Sequence, residues 1–444
     1  GPDPVAAFVA LVGKAMGGTM FIDEAYRFSP NKAGGQPNAS NGVLDYLLEA
    51  VEDDAFRDTT TFILAGYKDE VEALLSYNPG FASRFACEFH FDDFTEAQLR
   101  RILLGMVRER GLRFESRREC GVPLARIVAR RIARHAGKKG FSNARAVRNK
   151  VEEIVGSQSQ RLGSLQLYGR AVLPREYKTL TRDDAIGPRP DFASSPLLRE
   201  LDGMVGMPKV KDAIRKLVDL QLHNYDREVA GERPELISLH RVFHGNPGTG
   251  KTTVVRIYGA LLKELGLLSK GDFLQCTPAD LTGDAEGGAA ANTKALLEKA
   301  RGRVLFIDEA YVLDPSRKAN QYGGNVLDTL VEKLEGEAGS DIAVILAGYT
   351  REMFDMLENN PGLRRRFNID DFGVHFEDMS DADLRQVLIR MAGKAGLAFE
   401  DMDVVDHVVG VLAQKRRLPN FGNAGTVASM LNVAKVNKSR RLAD

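Results

Sequence analysis

The chain has 444 residues, in which 61 Lys and Arg balance 61 Asp and Glu, with 43% hydrophobic and 27% charged residues. This is an ordinary globular composition, long enough for about two to four domains, and its balanced charge supplies no global field that would draw it to nucleic acid or a membrane. Cys87, Cys120 and Cys276 show no CxxC or Cys/His spacing, so neither a disulfide framework nor a zinc site is indicated.

No apolar run nears the roughly 18 to 20 residues that span a bilayer, and a soluble cytoplasmic protein is expected, with nuclear and plastid compartments as the alternatives. In chain order, the first telling segment is Phe21-Ile22-Asp23-Glu24-Ala25-Tyr26, which returns near-verbatim as Phe306-Ile307-Asp308-Glu309-Ala310-Tyr311. Ile63-Leu64-Ala65-Gly66-Tyr67 returns as Ile345-Leu346-Ala347-Gly348-Tyr349, and Asn78-Pro79-Gly80 with Arg84-Phe85 returns as Asn360-Pro361-Gly362 with Arg366-Phe367. Phe141-Ser142-Asn143-Ala144 returns as Phe421-Gly422-Asn423-Ala424. A spacing of about 280 residues is that of a duplicated domain and is too long for a solenoid unit. The chain therefore reads as one and a half copies, the first lacking everything upstream of its acidic strand.

Helical periodicity follows each Arg-Phe segment, through Leu99, Ile102, Leu103, Met106 and Val107 and again through Leu384, Val387, Leu388 and Met391, with Thr95 and Ser380 as N-caps. The organisation expected is a partial large subdomain over 1–91, its helical lid over 92–170, an extended Pro-rich linker over 171–200, a second large subdomain over 201–376 and a second lid over 377–444. The stretch from Arg100 to Lys150 is heavily basic. Such a run predicts a solvated helical face or contact with an acidic partner, with nucleic acid as the alternative that nothing else in the sequence supports.

In the second copy the apolar run Leu239 to Phe243 leads into Gly245-Asn246-Pro247-Gly248-Thr249-Gly250-Lys251-Thr252, then Thr253 and a helical pattern. Strand, GxxxxGK[ST] loop and helix are the phosphate-binding arrangement: glycines let backbone N–H groups approach phosphate oxygens, and the helix N-terminus adds its dipole. Lys251 is expected on the β/γ-phosphates of ATP and Thr252 on Mg²⁺. The later run Val304 to Ile307 suits a strand buried on both faces, with Asp308 as second Mg²⁺ residue and Glu309 as general base for the attacking water. A third strand over 343–347 ends at Gly348-Tyr349, at the same rim.

These motifs together resemble the CbbX/SpoVK-type AAA+ ATPases, the family of the red-type Rubisco activases and the sporulation protein SpoVK. The resemblance implies an α/β fold, a parallel sheet flanked by helices with a small helical lid, here in tandem, and a homo-oligomeric, commonly hexameric ring. It implies that Arg366, with Arg84 as its counterpart, is an arginine finger donated to a neighbour's nucleotide, and that Val205 and Gly206 flank the adenine. Two positions depart from the family. Gly425 stands where the lid motif carries arginine, which the first copy keeps as Arg145, and Ala285 stands where a pore loop carries an aromatic residue. The expected function is Mg²⁺-dependent ATP hydrolysis that remodels a protein partner of unknown identity. A nucleotide-regulated scaffold with slow turnover and a nucleic-acid-stimulated translocase are the alternatives.

Overall fold

In both copies the apolar run before the acidic pair forms a strand, but only the second copy surrounds that strand with neighbours. The computed structural model describes residues 4–28, 37–77, 79–85, 87–115, 123–137, 140–282, 288–317, 322–334, 341–367, 369–418 and 420–443. It falls into two units, Gly1–Phe94 and Thr95–Asp444.

In the first unit β1 (Thr19–Ile22) pairs in parallel with β2 (Thr61–Leu64), Phe21 opposite Ile63. Side chains alternate across a strand, so each ribbon has two faces. Ile22, with Met20, Phe62 and Leu64, packs on a core built from Phe8, Val12, Val43, Leu44 and Leu47. The opposite face is open: Phe21 is 60% exposed, whereas its repeat counterpart Phe306 is fully buried. Residues 88–91, which repeat the second copy's Gly373–Phe376 strand, form no strand. A strand needs a neighbour to take its N–H and C=O groups, and Phe91 is accordingly 91% exposed against 1% for Phe376.

The second unit begins with the first lid. Its helices run Glu96–Glu109, Leu124–Ala133 and Ala144–Leu167, and Thr95 caps the first through a reciprocal box with Gln98. Leu99, Leu103 and Val107 are buried, as the periodicity predicts. The segment expected to be an extended linker is instead folded. Pro174–Tyr177 is a helical turn, β4 (Thr179–Leu180) pairs with β3 (Arg113–Phe114), and Arg182–Ile186 is a helix with Asp184, Ala185 and Ile186 buried. Pro174 and Pro196 each open a short helix at its first turn. The buried Gln158 donates to the carbonyls of Glu176, Tyr177 and Thr179, and Arg161 holds Asp184 through two 2.8 Å bonds.

Three basic residues of the lid serve contacts inside the same unit. Arg131 and Arg134 pair with the buried Glu228 of the Pro208–Ala230 helix, and Arg130 donates to the carbonyls of Gly231 and Glu232 at its end. Cations there also suit the negative end of the helix dipole.

The large sheet is parallel, in the order β6-β7-β8-β5-β9, from β5 (Arg241–Gly245), β6 (Phe273–Cys276), β7 (Val304–Ile307), β8 (Ala343–Gly348) and β9 (Gly373–Phe376). Its continuous apolar strands serve two cores. Val304, Phe306, Ala343, Ile345 and Ala347 meet the helices Pro208–Ala230 and Lys251–Glu264 on one face. Leu305, Ile307, Val344 and Leu346 meet the helices Gly323–Lys333 and Thr350–Asn359 on the other. The second lid has its own core of Leu384, Leu388, Val405, Leu412, Phe421 and Val427, and Ser380 makes the expected capping box with Asp383.

Candidate active site

Phosphate-loop chemistry depends on where β5 ends. His244 lies opposite Gly348 of β8, and Gly245 lies opposite Phe376 of β9. The helix after β5 joins one core and the helix after β8 joins the other, so β5 and β8 flank a switch point, where open α/β sheets bind ligands at their carboxyl ends.

From β5 the chain turns through residues 246–250 into the Lys251–Glu264 helix. Thr249 Oγ1 donates to the Asn246 carbonyl at 2.8 Å, and Lys251 Nζ donates to the carbonyls of Gly245 at 2.8 Å and Asn246 at 2.9 Å. Phosphate oxygens would compete for the same ammonium donors. Burial lowers the Lys251 pKa, and the Asp308 carboxylate at the tip of β7 offsets part of that shift. Two strand spacings, about 9 to 10 Å, separate β5 from β7. Thr252 and Thr253 are exposed at the start of the helix. Thr252 could offer a hydroxyl and Asp308 a carboxylate, oxygen donors of the kind that suit a Mg²⁺ keeping water and phosphate ligands. Among the described residues no group of three or more His, Cys, Asp or Glu could hold a metal alone.

Glu309 adopts a left-handed backbone, φ 52°, and its counterpart Glu24 does the same at 55°. Such a conformation is uncommon for a residue with a side chain, and it recurs where function over-determines the backbone. In each copy the glutamate N–H donates to the preceding aspartate Oδ1 at 3.0 Å. The glutamates differ beyond that point. Tyr26 donates to Glu24 at 2.6 Å, which with burial raises the Tyr26 phenol to about 12, while Arg27, paired with the same carboxylate, acts in the opposite direction. Val312 replaces that arginine in the second copy. There Tyr311 is raised to about 12, first by burial and then by the charge of Glu309, while Arg317 lies 4.9 Å over its ring. Tyr349, half-buried, packs 5.7 Å from Tyr311, as Tyr67 packs 6.0 Å from Tyr26.

The lid reaches the loop directly. A Cβ on Gly248 would strike the Gly422 carbonyl, so only glycine permits this approach, and Ala424 N donates to Gly248 O at 3.3 Å. Gly425 adjoins the same contact, and a Cβ built there meets open space. Val205 packs on the lid core and Gly206 approaches Asp383, while Met207 lies over Gly250, so this segment does border both loop and lid. Arg366 ends the Pro361–Arg366 helix with Nη1 on the Gly362 carbonyl at 2.9 Å, matching Arg84 on Gly80 at 2.8 Å. Ala285 lies outside the described residues.

Two elements of this region escaped the sequence reading. His244 stacks on His375 with centroids 4.8 Å apart and pairs with Thr350 Oγ1 at 3.2 Å. Asp378 bonds both Asn246 and Asn423. The recurrence of Asp93 at the Asp378 position was the available signal for the second.

Residues 241–372 match the model of the ATPase family associated with various cellular activities (AAA), and residues 95–194 and 380–444 match an AAA lid domain. The first lid match thus includes the folded strap. Protein CfxQ of Xanthobacter flavus is 37% identical over 246 residues, covering 55% of this chain and 76% of that protein. The chloroplastic ribulose bisphosphate carboxylase/oxygenase activase of Cyanidioschyzon merolae is 32% identical over 270 residues, covering 59% and 89%. Among solved structures, the closed state of Hsp104 with ATPyS and FITC casein aligns with a TM-score of 0.58 at 15% identity, covering 98% of this chain and 78% of that one, a likeness of fold.

Proposed function

Because the chain belongs to the CbbX/CfxQ/SpoVK-type family of AAA+ ATPases, we propose that its ATP hydrolysis is Mg²⁺-dependent, proceeds in an oligomeric ring and drives remodelling of a protein partner. The observation that carries the site assignment is Lys251, at the head of the helix after β5 with its ammonium on the Gly245 and Asn246 carbonyls, two strands from β7, whose end Asp308 follows. In this reading the backbone N–H groups of residues 245–253 cradle the phosphates, Lys251 binds the β/γ-oxygens, and Thr252 and Asp308 hold Mg²⁺. Bound Mg²⁺ neutralises charge developing on those oxygens. Glu309 orients and deprotonates the attacking water, Val205 and Gly206 border the base, and Arg366 serves a neighbouring subunit's site. The module boundaries proposed are 201–376 and 377–444. A relative named as an activase of ribulose bisphosphate carboxylase/oxygenase supports a protein as the partner, without identifying it.

Lys251→Ala should abolish binding of a fluorescent ATP analogue. Glu309→Gln should keep binding and lower turnover by about 10² to 10⁴-fold, the usual worth of a positioned general base. Unchanged affinity in Lys251→Ala would remove the site assignment. The slow scaffold is favoured by two sequence features, Ala285 where a pore loop carries an aromatic residue and Gly425 where the family's lid carries arginine. Negligible turnover in the unmodified chain, despite tight binding, would select it.

A further inference from the structure

Asp378 lies in the short connection between β9 and the lid helix Asp381–Lys394. Its carboxylate accepts Asn246 Nδ2 on both oxygens, at 3.0 and 2.9 Å, and Asn423 Nδ2 on Oδ1 at 2.8 Å. Asn246 is the second residue of the phosphate loop. Asn423 is fully buried at the head of the last lid helix, where its Oδ1 accepts from Met379 N at 2.8 Å and its Nδ2 also reaches the Pro247 carbonyl at 3.3 Å. Its φ of 42° is one that asparagine tolerates better than most residues. One carboxylate therefore joins loop, hinge and lid, through hydrogen bonds strengthened by its charge.

The Asn246 carbonyl is also the acceptor for Lys251 Nζ and Thr249 Oγ1. The residue whose side chain is tied to Asp378 thus carries the lysine's own acceptor, and a new partner for Lys251 changes the forces on that residue. Gly425 offers no side chain for the task. Asp93 and Asn143 stand at the same places in the first copy, and Asn143 has the same left-handed backbone at φ 45°.

We propose that Asp378 and Asn423 are positioning residues that couple occupancy of the phosphate loop to the position of the lid, in place of an arginine at 425. The inference rests on the reading that this loop binds nucleotide. Hydrogen–deuterium exchange on the full chain, with and without saturating ADP, tests it, alongside titration with a fluorescent ADP analogue. In the unmodified chain ADP should change exchange of the amides at residues 424–427 by about tenfold, within the usual range of coupling between sites. In Asp378→Ala and Asn423→Ala that response should fall to about twofold or less, while affinity stays within about threefold.

Asp378→Asn keeps the size of the side chain and one acceptor oxygen while removing the charge that strengthens these bonds, so it guards against an alanine variant that fails to fold and should leave a response between about twofold and tenfold. An undiminished response in Asp378→Ala, Asn423→Ala and Asp378→Asn alike overturns the proposal. If the unmodified chain does not bind the analogue, or Lys251→Ala binds it equally well, the nucleotide reading fails and the coupling falls with it.

Discussion

Burial of two imidazoles, one just before β5 and one within it, sets a pH limit on this fold. His240 is held down to about 4 from 6.5, mainly by burial, and its Nδ1 accepts the Val344 N–H at 3.1 Å, which a protonated ring could not do. His244 is also held to about 4, by burial and by His375, Lys251 and Lys209. Between these values the unfolded chain takes up protons that the folded chain refuses. Their contribution is therefore complete above pH 6.5 and is lost as pH falls toward 4, by about 3 kcal/mol for each. His240→Asn, whose Oδ1 can replace Nδ1 as acceptor, should flatten the pH dependence of the urea midpoint between pH 7 and 5. An unchanged slope would mean that other groups govern acid unfolding. At this scale the loop and the acidic pair were legible because their chemistry needs fixed residue types at fixed spacing. The histidines and Asp378 were not, because their roles arise from strands and a hinge that only the fold brings together.

Repeated segments show how far an element depends on its surroundings. His90-Phe91 and His375-Phe376 are the same dipeptide in the same context, yet the second lies in β9 against β5 and the first is bare chain. Phe376 is also packed 5.1 Å from Phe243. Phe376→Ala should therefore cost about 3 to 5 kcal/mol, the range for a large aromatic removed from a core, whereas Phe91→Ala should stay within about 0.5 kcal/mol. Thermal denaturation of the two variants checks this, and comparable losses would sink the contrast. Nothing in the shared dipeptide distinguishes the two segments. The strap over 171–200 misled in the opposite direction, because its prolines read as an extended linker while Gln158 and Arg161 bind it from outside its own sequence and its own Phe192 joins the core of the large sheet. Helix stripes and caps were legible throughout, being local properties of a few turns.

At the scale of the whole molecule, the basic run of the first lid reads differently once folded. Arg130, Arg131 and Arg134 are committed to Glu228 and the end of its helix, which leaves a weaker case for nucleic acid than the sequence suggested. Arg366 poses the complementary question of where its charge acts. Its neighbours Leu363 and Phe367 belong to the core on the face of the Thr350–Asn359 helix, whereas the phosphate-loop helix and its core lie on the other face of the sheet. An arginine so placed is suited to a heterologous contact with the next subunit, in which each nucleotide takes its lysine from one chain and its finger from another. Lys251→Ala and Arg366→Ala should then each be inactive alone, yet an equal mixture should recover about a quarter of the sites, since random neighbours pair an intact loop with an intact finger that often. ATPase measured after mixing and re-equilibrating the two variants decides it. A mixture no more active than its separate components would confine Arg366 to the stability of its own helix end.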